Sequence, residues 1–218
     1  MNAVSIALAG AQQQRENLRI AHGLKHGDSG LLDQLIVEYQ HRLLRYLLYL
    51  TSNRELAEDL FQETWMRVLQ RGGQYNGAAR FETWLFTIAR NLVIDTRRKR
   101  TMASLDEMCD TGDDERPFEV ASNDPTPLEE CLRGEDSERV AEALLSMEPL
   151  NREVLVLRFH EDLSLAEIAT VTRAPLSTVK SRLYRGLSSL KAKIAPSEDG
   201  HITHAQTASR QILGETTA

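Results

Sequence analysis

Residues 163–194 read LSLAEIATVTRAPLSTVKSRLYRGLSSLKAKI, which predicts a short helix, a tight break and a longer helix that carries only positive charge. Ser164 and Glu167 have the spacing of a capping box, in which each side chain satisfies a backbone donor of the first turn. Small Ala169 allows the two helices to cross closely, and Pro175 marks the start of the second one. This layout is typical of a helix-turn-helix, whose second helix enters the major groove of DNA.

The second predicted helix has an apolar face and a cationic face, because every charged residue between 176 and 194 is basic. Apolar residues recur every three or four positions and predict one buried stripe, comprising Leu176, Val179, Leu183, Leu187, Leu190 and Ile194. An ordinary amphipathic helix with a solvated basic face is the alternative interpretation. The capping box, the break and the one-sided charge together favour DNA binding.

Arg173 departs from an ideal helix-turn-helix. It occupies the turn position at which glycine is easiest, since a left-handed backbone costs another residue on the order of 1 kcal/mol. Either the turn is less sharp than usual or Arg173 reaches a DNA phosphate, and the sequence leaves both open.

The charge of the chain is unevenly distributed. The chain has 218 residues, 41% hydrophobic and 27% charged, which is typical of a soluble globular protein with one large or two small domains. Residues 104–136 hold twelve acidic and two basic residues, a charge of −10, which leaves +4 for the rest of a chain whose total is −6. That remainder suits a nucleic-acid-binding protein. No apolar run approaches the roughly 20 residues of a membrane span and no secretion signal is visible, so we expect a cytoplasmic protein without stable membrane insertion.

The residues that could hold a metal are few: Cys109, Cys131, His22 with His26, and His201 with His204. The cysteines do not form a CxxC pair, and two histidines alone make a weak site, so we expect neither a metal nor any other cofactor. The sequence also has no phosphate-binding glycine loop and no serine or cysteine nucleophile with a plausible histidine partner. An enzyme is therefore not expected.

Helical periodicity predicts an all-α fold with two small helical domains joined by an acidic flexible linker. The predicted segments are an N-terminal extension (1–28), a first domain (29–100), the acidic linker (101–136), a second domain (137–195) and a polar tail (196–218). We expect residues 1–20 and the tail to be loosely ordered. Asn53 is expected to cap a helix whose core side is Leu56, Leu60, Trp65, Val68 and Leu69. Later helices are expected at about 81–100, at 137–147 and after Pro149.

Residues 74–100 combine aromatic and basic side chains. The aromatic residues are Tyr75, Phe81, Trp84 and Phe86, and they are flanked by arginines. Aromatic rings beside cations suit a single strand of DNA, because bases stack on the rings while arginines hold the phosphates. The small loop 77–79 could form the wall of a pocket for an extruded base. Core packing accounts for about half of the aromatics and leaves Tyr75 and Trp84 as partly exposed candidates.

Three motifs together resemble bacterial RNA polymerase sigma factors of the extracytoplasmic-function (ECF) class, the smallest of the sigma-70 type. They are AEDLFQETW at 57–65, FETWLFTIARNLVIDTRRKR at 81–100 and TVKSRLYRGLSSL at 178–190. The resemblance implies a sigma region 2 helical bundle and a region 4 helix-turn-helix. It implies a protein that binds core RNA polymerase and directs initiation by recognising −35 DNA and by melting and recognising −10 DNA, under the control of an anti-sigma factor.

The resemblance also implies three sets of contact residues. The surface for the clamp helices of the largest polymerase subunit comprises Ala57, Glu58, Asp59, Leu60, Gln62 and Glu63. The −10 set comprises the specificity loop Tyr75, Asn76, Gly77, Ala78, Ala79 and Arg80, together with Trp84, Asn91, Arg97, Arg98, Lys99 and Arg100. The −35 set comprises Arg173, Ser177, Thr178, Lys180, Ser181, Arg182 and Arg185. A contact with the flap of the second-largest polymerase subunit is expected as well.

Two other functions fit parts of the sequence. A conventional regulator would read an operator with the helix-turn-helix and use the first domain for dimerisation or sensing. A sigma-mimicking protein would instead sequester an anti-sigma factor. The segment at 57–65 argues against a regulator, which has no need of it, and the receiver domain that often accompanies sigma mimics is not found.

Overall fold

The structure of the protein, a computed structural model, describes residues 3–107 and 135–194. The regular elements of these two ranges are all helical, which confirms the predicted all-α fold. They are α1 (Ala3–His26), α2 (Ser29–Thr51), α3 (Arg54–Arg71), a 3-10 turn (Gly72–Gln74), α4 (Phe81–Glu107), α5 (Glu135–Leu145), α6 (Pro149–Phe159), α7 (Leu165–Thr172) and α8 (Leu176–Ile194). Cys109, Cys131, most of the acidic linker and the polar tail lie outside the described residues.

Helix α2 forms the centre of the first unit, which comprises α1–α4. It begins where Asp28 Oδ1 accepts a hydrogen bond from the Leu31 amide at 3.1 Å. Its buried residues are Leu31, Leu35, Tyr39, Leu43, Tyr46, Leu47, Tyr49 and Leu50. Helix α4 covers this face, and the Tyr46 and Phe86 rings meet edge to face at 5.0 Å.

Helix α3 begins at the predicted cap, where Asn53 Oδ1 accepts a hydrogen bond from the Leu56 amide at 2.8 Å. Its buried residues are Ala57, Leu60, Thr64, Trp65 and Val68. The prediction that Leu69 faces the core was wrong, because this leucine is exposed. At about 100° per residue, Leu69 lies well away from the line through Ala57, Thr64 and Val68.

The prediction of a loose N-terminus was wrong for residues 3–20, which form most of helix α1. Asn17 and Ile20 are buried, and Ala21 and Leu24 pack against the core of the first unit. The polar run at 12–17, in the middle of this segment, concealed the helix. Alanine, glutamine, arginine and leucine all favour helical backbone, and a few apolar residues at helical spacing are enough to attach it.

Helix α4 begins at Phe81, as predicted, and continues to Glu107 rather than ending near Arg100. The expected weak order of the linker was therefore wrong for its first residues. The sequence has no proline or glycine between 81 and 107, so nothing interrupts the helical hydrogen bonds once the first turns have formed.

The second unit comprises α5–α8. Helix α5 spans Glu135–Leu145, two residues earlier in the chain than predicted, and α6 has Pro149 in its first turn. Both carboxylate oxygens of Glu148 cap α6, accepting hydrogen bonds at 3.3 Å from the amides of Leu150 and Asn151. These start signals fix the corner between the two helices.

The apolar stripe of α8 is narrower than predicted. Val179 and Gly186 are buried, whereas Leu176 and Leu187 are 44% and 38% exposed, so the prediction was wrong for these two leucines. They lie roughly 70–90° around the helix from the line through the two buried residues. An added Cβ at Gly186 would lie 3.0 Å from Leu155 Cγ of α6, so α8 approaches α6 through a glycine and not through a leucine.

The two units pack against each other, α2 on α6 and α4 on α7. The sequence predicted a linker between two modules and gave no sign of this contact. Much of the contact is polar, because carboxylates of the second unit meet arginines of the first.

Candidate nucleic-acid interface

The break between α7 and α8 is a sharp turn. Arg173 has φ 51° and ψ 36°, which is left-handed backbone, so the less-sharp alternative was wrong. The Ala174 amide donates a hydrogen bond to the Ala169 carbonyl at 3.2 Å and closes the turn. The capping box is confirmed, since the Ser164 amide lies 2.8 Å from Glu167 Oε2 and the Glu167 amide lies 3.3 Å from Ser164 Oγ. The Arg173 side chain is exposed, and its contact with a DNA phosphate stays a prediction.

The outer face of α8 carries most of the −35 residues inferred from the sequence. Ser177, Lys180 and Arg185 are exposed, and Thr178, Ser181 and Arg182 are half-buried. Arg185 is steadied along the helix, because its Nη2 lies 3.2 Å from Ser181 Oγ.

Tyr184 also belongs to this outer face, and the sequence interpretation missed it. It is 70% exposed, the most exposed of the large hydrophobic side chains described. It lies four positions after Lys180 and seven after Ser177, so the helical spacing alone could have placed it among the cations. Its ring can contact a thymine methyl group or a base edge.

The loop 75–80 is compact, and the expected exposure of Tyr75 was wrong. Tyr75 is buried, and its hydroxyl donates to the Ala79 carbonyl at 2.7 Å, which closes the loop. Burial raises the pKa of the Tyr75 phenol, so this donor stays protonated at neutral pH. Its ring centroid lies 5.2 Å from that of Trp84, which is half-buried. The exposed rim of the loop is formed by Asn76, Ala78 and Ala79.

The cations predicted to contact −10 DNA lie on the surface of α4, near the end of the part whose side chains are described. Arg97, Arg98, Lys99 and Arg100 are exposed, and Asn91 is half-buried about two turns earlier. Arg97 also donates to the Leu50 carbonyl, while Arg98 lies 3.8 Å from Asp95. Four cations in sequence can hold the phosphates of a DNA strand.

The amino-acid sequence carries two family signatures at these two sites. Residues 35–102 match Sigma-70 region 2, and residues 137–190 match Sigma-70, region 4. The chain belongs to the sigma-70 family of RNA polymerase sigma factors. It is therefore a DNA-binding transcription initiation factor that directs RNA polymerase to promoters.

Several curated relatives are RNA polymerase sigma factors, and some of them are named as ECF sigma factors. RNA polymerase sigma-H factor of Pseudomonas aeruginosa is 28% identical over 186 residues, which cover 84% of this chain and 96% of that protein. ECF sigma factor SigL of Mycobacterium tuberculosis is 32% identical over 173 residues, covering 78% and 92%. ECF sigma factor SigW of Bacillus subtilis is 28% identical over 173 residues, again covering 78% and 92%. The predicted ECF class is confirmed.

Solved sigma factors share the fold. The sigma factor RpoE in complex with the anti-sigma factor NepR from Bartonella quintana aligns with a TM-score of 0.57 at 23% identity, covering 74% of this chain and 95% of that one. CnrH in complex with the cytosolic domain of CnrY aligns with a TM-score of 0.56 at 21% identity, covering 81% and 95%.

In this sigma factor, only some of the residues inferred from the motif at 57–65 to contact the polymerase clamp lie on the surface. Ala57 and Leu60 are buried in the core, so their inclusion in the contact surface was wrong. The residues left for contact are Glu58, Asp59 and Gln62, which are exposed, and Glu63, which is half-buried and paired with Arg67 at 2.8 Å.

Two apolar residues of α3 extend this surface, and the sequence analysis did not assign them to it. Met66 and Leu69 are exposed on the same outward side as Asp59 and Gln62. Leu69 had been assigned to the core, and Met66 follows Gln62 by one helical turn. An acidic and amide surface beside two apolar side chains suits a partner helix that is cationic along one edge.

Arg80 of the specificity loop faces the second unit of this sigma factor. Its Nη2 lies 2.6 Å from Glu82 Oε1, and its Nε lies 3.9 Å from Glu167 Oε1 on α7. Thr83 Oγ1 donates to the same Glu167 oxygen at 3.3 Å. The arginine inferred to hold −10 DNA is thus occupied by carboxylates in this arrangement.

Two further carboxylates of the second unit hold arginines of the first. Buried Glu161 accepts hydrogen bonds from Arg42 Nε at 2.8 Å and from Arg45 Nη2 at 3.2 Å. Glu153 lies between Arg90 and Tyr46. None of these contacts involves the outer face of α8, where Lys180 and Arg185 are exposed and Arg182 is half-buried.

None of the helices in the described ranges is both long enough and apolar enough to cross a membrane.

Proposed function

We propose that this sigma factor joins core RNA polymerase through the exposed side of α3 and reads two promoter elements, −10 DNA with the loop and α4 and −35 DNA with α8. It supplies binding energy at these elements while the polymerase performs the chemistry, so it is not itself an enzyme and needs no metal or cofactor. It acts in the cytoplasm with the polymerase.

One observation carries this proposal. The same chain exposes the cationic outer face of α8 and, on α3, an acidic and apolar surface around Asp59, Gln62, Met66 and Leu69. A conventional regulator requires only a DNA-reading helix. A promoter-specificity subunit requires both, because it must be carried to DNA by the polymerase.

The −35 element is read by α8 in the major groove. The guanidinium groups of Arg182 and Arg185 can pair with the O6 and N7 atoms of guanine. Ser177, Thr178 and Lys180 lie nearer the start of the helix and hold phosphates, with Ser181 beside them. Arg173, exposed at the turn, adds a further phosphate contact.

The −10 element is captured at the loop and held along α4. Asn76, Ala78 and Ala79 form the exposed rim that receives an extruded base, with Gly77 and Tyr75 shaping the loop beneath it. Trp84 offers part of a ring for stacking. Asn91, Arg80 and the cations 97–100 hold the melted strand.

The two units must separate for both elements to be bound. The centres of the −10 and −35 elements differ by 25 positions, which is about 85 Å of duplex at 3.4 Å per base pair. Helix α7 contacts Arg80 and leads directly into α8. The specificity loop and α8 therefore lie far closer together than 85 Å in this structure. Binding to polymerase holds both readers near DNA and raises their effective concentration.

The acidic linker and the protein partners complete the proposal. The charge of −10 in residues 104–136 suits a segment that threads polymerase channels otherwise occupied by nucleic acid. The flap of the second-largest polymerase subunit is a further contact. An anti-sigma factor is inferred because RpoE and CnrH, which share this fold, were solved with NepR and with the cytosolic domain of CnrY.

Run-off transcription with purified core polymerase tests the function. We expect promoter-specific transcripts with the wild-type chain and a loss of at least about tenfold with Asp59→Arg, which reverses a charge at the polymerase surface. Asp33→Arg makes the same change at an exposed position of α2 and should leave transcription unchanged. No specific transcript from the wild type, with Asp59→Arg indistinguishable from it, would refute the proposal.

A further inference from the structure

Helix α1 lies against the specificity loop. Gln14 Nε2 donates a hydrogen bond to the Gly77 carbonyl at 3.3 Å. A Cβ added to Gly77 would lie 3.0 Å from the Asn17 carbonyl oxygen, and one added to Gly72 would lie 3.1 Å from Leu24 Cβ. Helix α1 therefore makes close contact with the turn before the loop, at Gly72, and with the middle of the loop, at Gly77.

The peptide that joins Gly77 to Ala78 is held from both sides, by α1 and by the loop itself. The Ala78 amide donates to Asn76 Oδ1 at 3.0 Å, and the carbonyl of the same peptide, that of Gly77, accepts from Gln14. Gly77 has φ 71° and lacks a Cβ, so its peptide can rotate into other orientations at little steric cost. The bond from Gln14 opposes this rotation.

The remainder of the loop is held without α1. The Tyr75 hydroxyl closes the loop by its bond to the Ala79 carbonyl, and the Tyr75 ring packs on Phe81 with 5.7 Å between ring centroids. These contacts define the ends of the loop and its floor. Its middle, which forms the exposed rim, depends on Gln14 and on the backbone of Asn17.

We propose that Gln14 is a positioning residue for −10 recognition, and that α1 sets how strictly the loop discriminates the base it captures. The proposal rests on the proposed function of the loop. A pocket that reads a base must hold its walls within about 0.5 Å, and a loop with glycine at its centre needs support from neighbouring elements to do so. Gln14 touches no DNA in this role and acts through the Gly77 peptide.

Gln14 is suited to a test because it contributes little to the core. Its side chain is exposed, so Gln14→Ala removes a hydrogen bond and leaves no cavity. Alanine also favours a helix at least as well as glutamine, so α1 should remain folded. Gln12, exposed on the same helix, provides the matched control Gln12→Ala.

The experiment uses holoenzymes assembled from core polymerase and the full chain, with a duplex DNA library randomised in the −10 and −35 blocks. Open complexes are captured and sequenced. We expect Gln14→Ala to lose base preference by roughly two- to tenfold at one −10 position, the effect of one hydrogen bond. Preferences in the −35 block and the thermal midpoint should stay unchanged, and Gln12→Ala should match the wild type.

Three results separate the alternatives. Unchanged −10 preferences in Gln14→Ala would overturn the proposal, and so would an equal loss in both blocks, which indicates general destabilisation. No enriched sequence even with the wild type would instead overturn the proposed function on which this inference rests.

A second measurement uses an abasic site at the position identified by the library. With no base to capture, wild type and Gln14→Ala should form open complexes equally well. A difference that persists on abasic DNA would show that Gln14 acts elsewhere than at the captured base, and would overturn the proposal.

Discussion

Arg90 Nε lies 2.7 Å from Glu153 Oε1, and the two side chains are only 11% and 6% exposed. Tyr46 of α2 donates its hydroxyl proton to the same oxygen at 3.1 Å. Burial raises the pKa of the Tyr46 phenol well above its ordinary value, and the nearby Glu153 carboxylate acts in the same direction, so the hydroxyl remains a donor. The Glu153 carboxylate of the second unit thus binds side chains of two helices of the first unit, α2 and α4.

Substituting Glu153 should weaken the contact between the units. Glu153→Gln removes the charge and leaves the Arg90 guanidinium buried without its counter-ion, which destabilises the packing of the two units by about 3 kcal/mol. Small-angle X-ray scattering should show a larger radius of gyration than for the wild type. Glu142→Gln, an exposed glutamate of α5, is the control and should not change it. Equal radii for both variants and the wild type would contradict the assigned role of this pair.

Acid should destabilise the folded protein through His160, which follows α6 beside Glu161. Burial, with the nearby Arg45 charge, lowers the pKa of His160 below its ordinary value of 6.5. Well above pH 6.5 the imidazole is neutral in both folded and unfolded chains, so His160 does not lower the free energy of unfolding there. As pH falls from 6.5 toward the lower folded pKa, the unfolded chain takes up the proton first and stability decreases.

Urea unfolding measured between pH 7.5 and pH 5 tests this expectation. The wild type should lose more stability on acidification than His160→Gln, which cannot titrate. Identical pH profiles for the two proteins would show that His160 does not contribute.

Much of the fold was predictable because helix signals are local. The capping box at Ser164 and Glu167, the Asn53 cap and the start of α4 at Phe81 all depend on residues within one or two turns. The exposed cations of α8 followed from the same periodicity. Helix α1 was missed because a polar run at 12–17 interrupts its apolar residues, and because its attachment depends on contacts with residues some 50–60 positions away.

The candidate site was less predictable where a side chain's environment comes from elsewhere in the fold. The sequence gives Tyr75 no fixed orientation, and its burial results from Phe81 and Trp84 in α4. The motif at 57–65 likewise mixes residues of two sides of α3, and only packing against α2 and α4 shows that Ala57 belongs to the core. The contact between units joins residues more than 60 positions apart, such as Arg90 and Glu153.

Gly186→Ala should destabilise the second unit although it raises helix propensity. The new Cβ would lie 3.0 Å from Leu155 Cγ and 3.1 Å from Leu155 Cδ1, and the fully buried leucine has little room to move. Overpacking of this kind costs about 1–3 kcal/mol, against roughly 1 kcal/mol gained by replacing glycine in a helix. Thermal unfolding should show a lower midpoint, whereas Ser188→Ala on the exposed side should not lower it. A raised midpoint for Gly186→Ala would refute the close crossing.

The two arginines of α8 should differ in −35 recognition. Arg185 is exposed on the outer face and Arg182 is half-buried, so Arg185 can reach bases more freely. Each substitution by alanine should weaken binding of the holoenzyme to a matched −35 element by roughly 1–3 kcal/mol, with the larger loss at Arg185. Lys193→Ala, at the far end of the helix, is the control. A loss of the same size on scrambled −35 DNA would identify the affected arginine as a phosphate contact.

Arg173 should show opposite effects on stability and on DNA binding. Its left-handed backbone, φ 51°, costs a residue with a Cβ on the order of 1 kcal/mol, which glycine avoids. Arg173→Gly should therefore raise the free energy of unfolding of the second unit or leave it unchanged, since the greater freedom of glycine in the unfolded chain offsets part of the gain.

If the Arg173 side chain holds a phosphate, the same substitution should weaken promoter binding at every −35 sequence and reduce its salt dependence by about one counter-ion. Arg173→Lys, which keeps the charge and the strained backbone, should bind DNA nearly as well as the wild type and gain no stability. Filter binding of the holoenzyme across a salt series, together with urea unfolding of the free protein, measures both effects. An Arg173→Gly holoenzyme with unchanged affinity and salt slope would show that this arginine faces solvent without touching DNA.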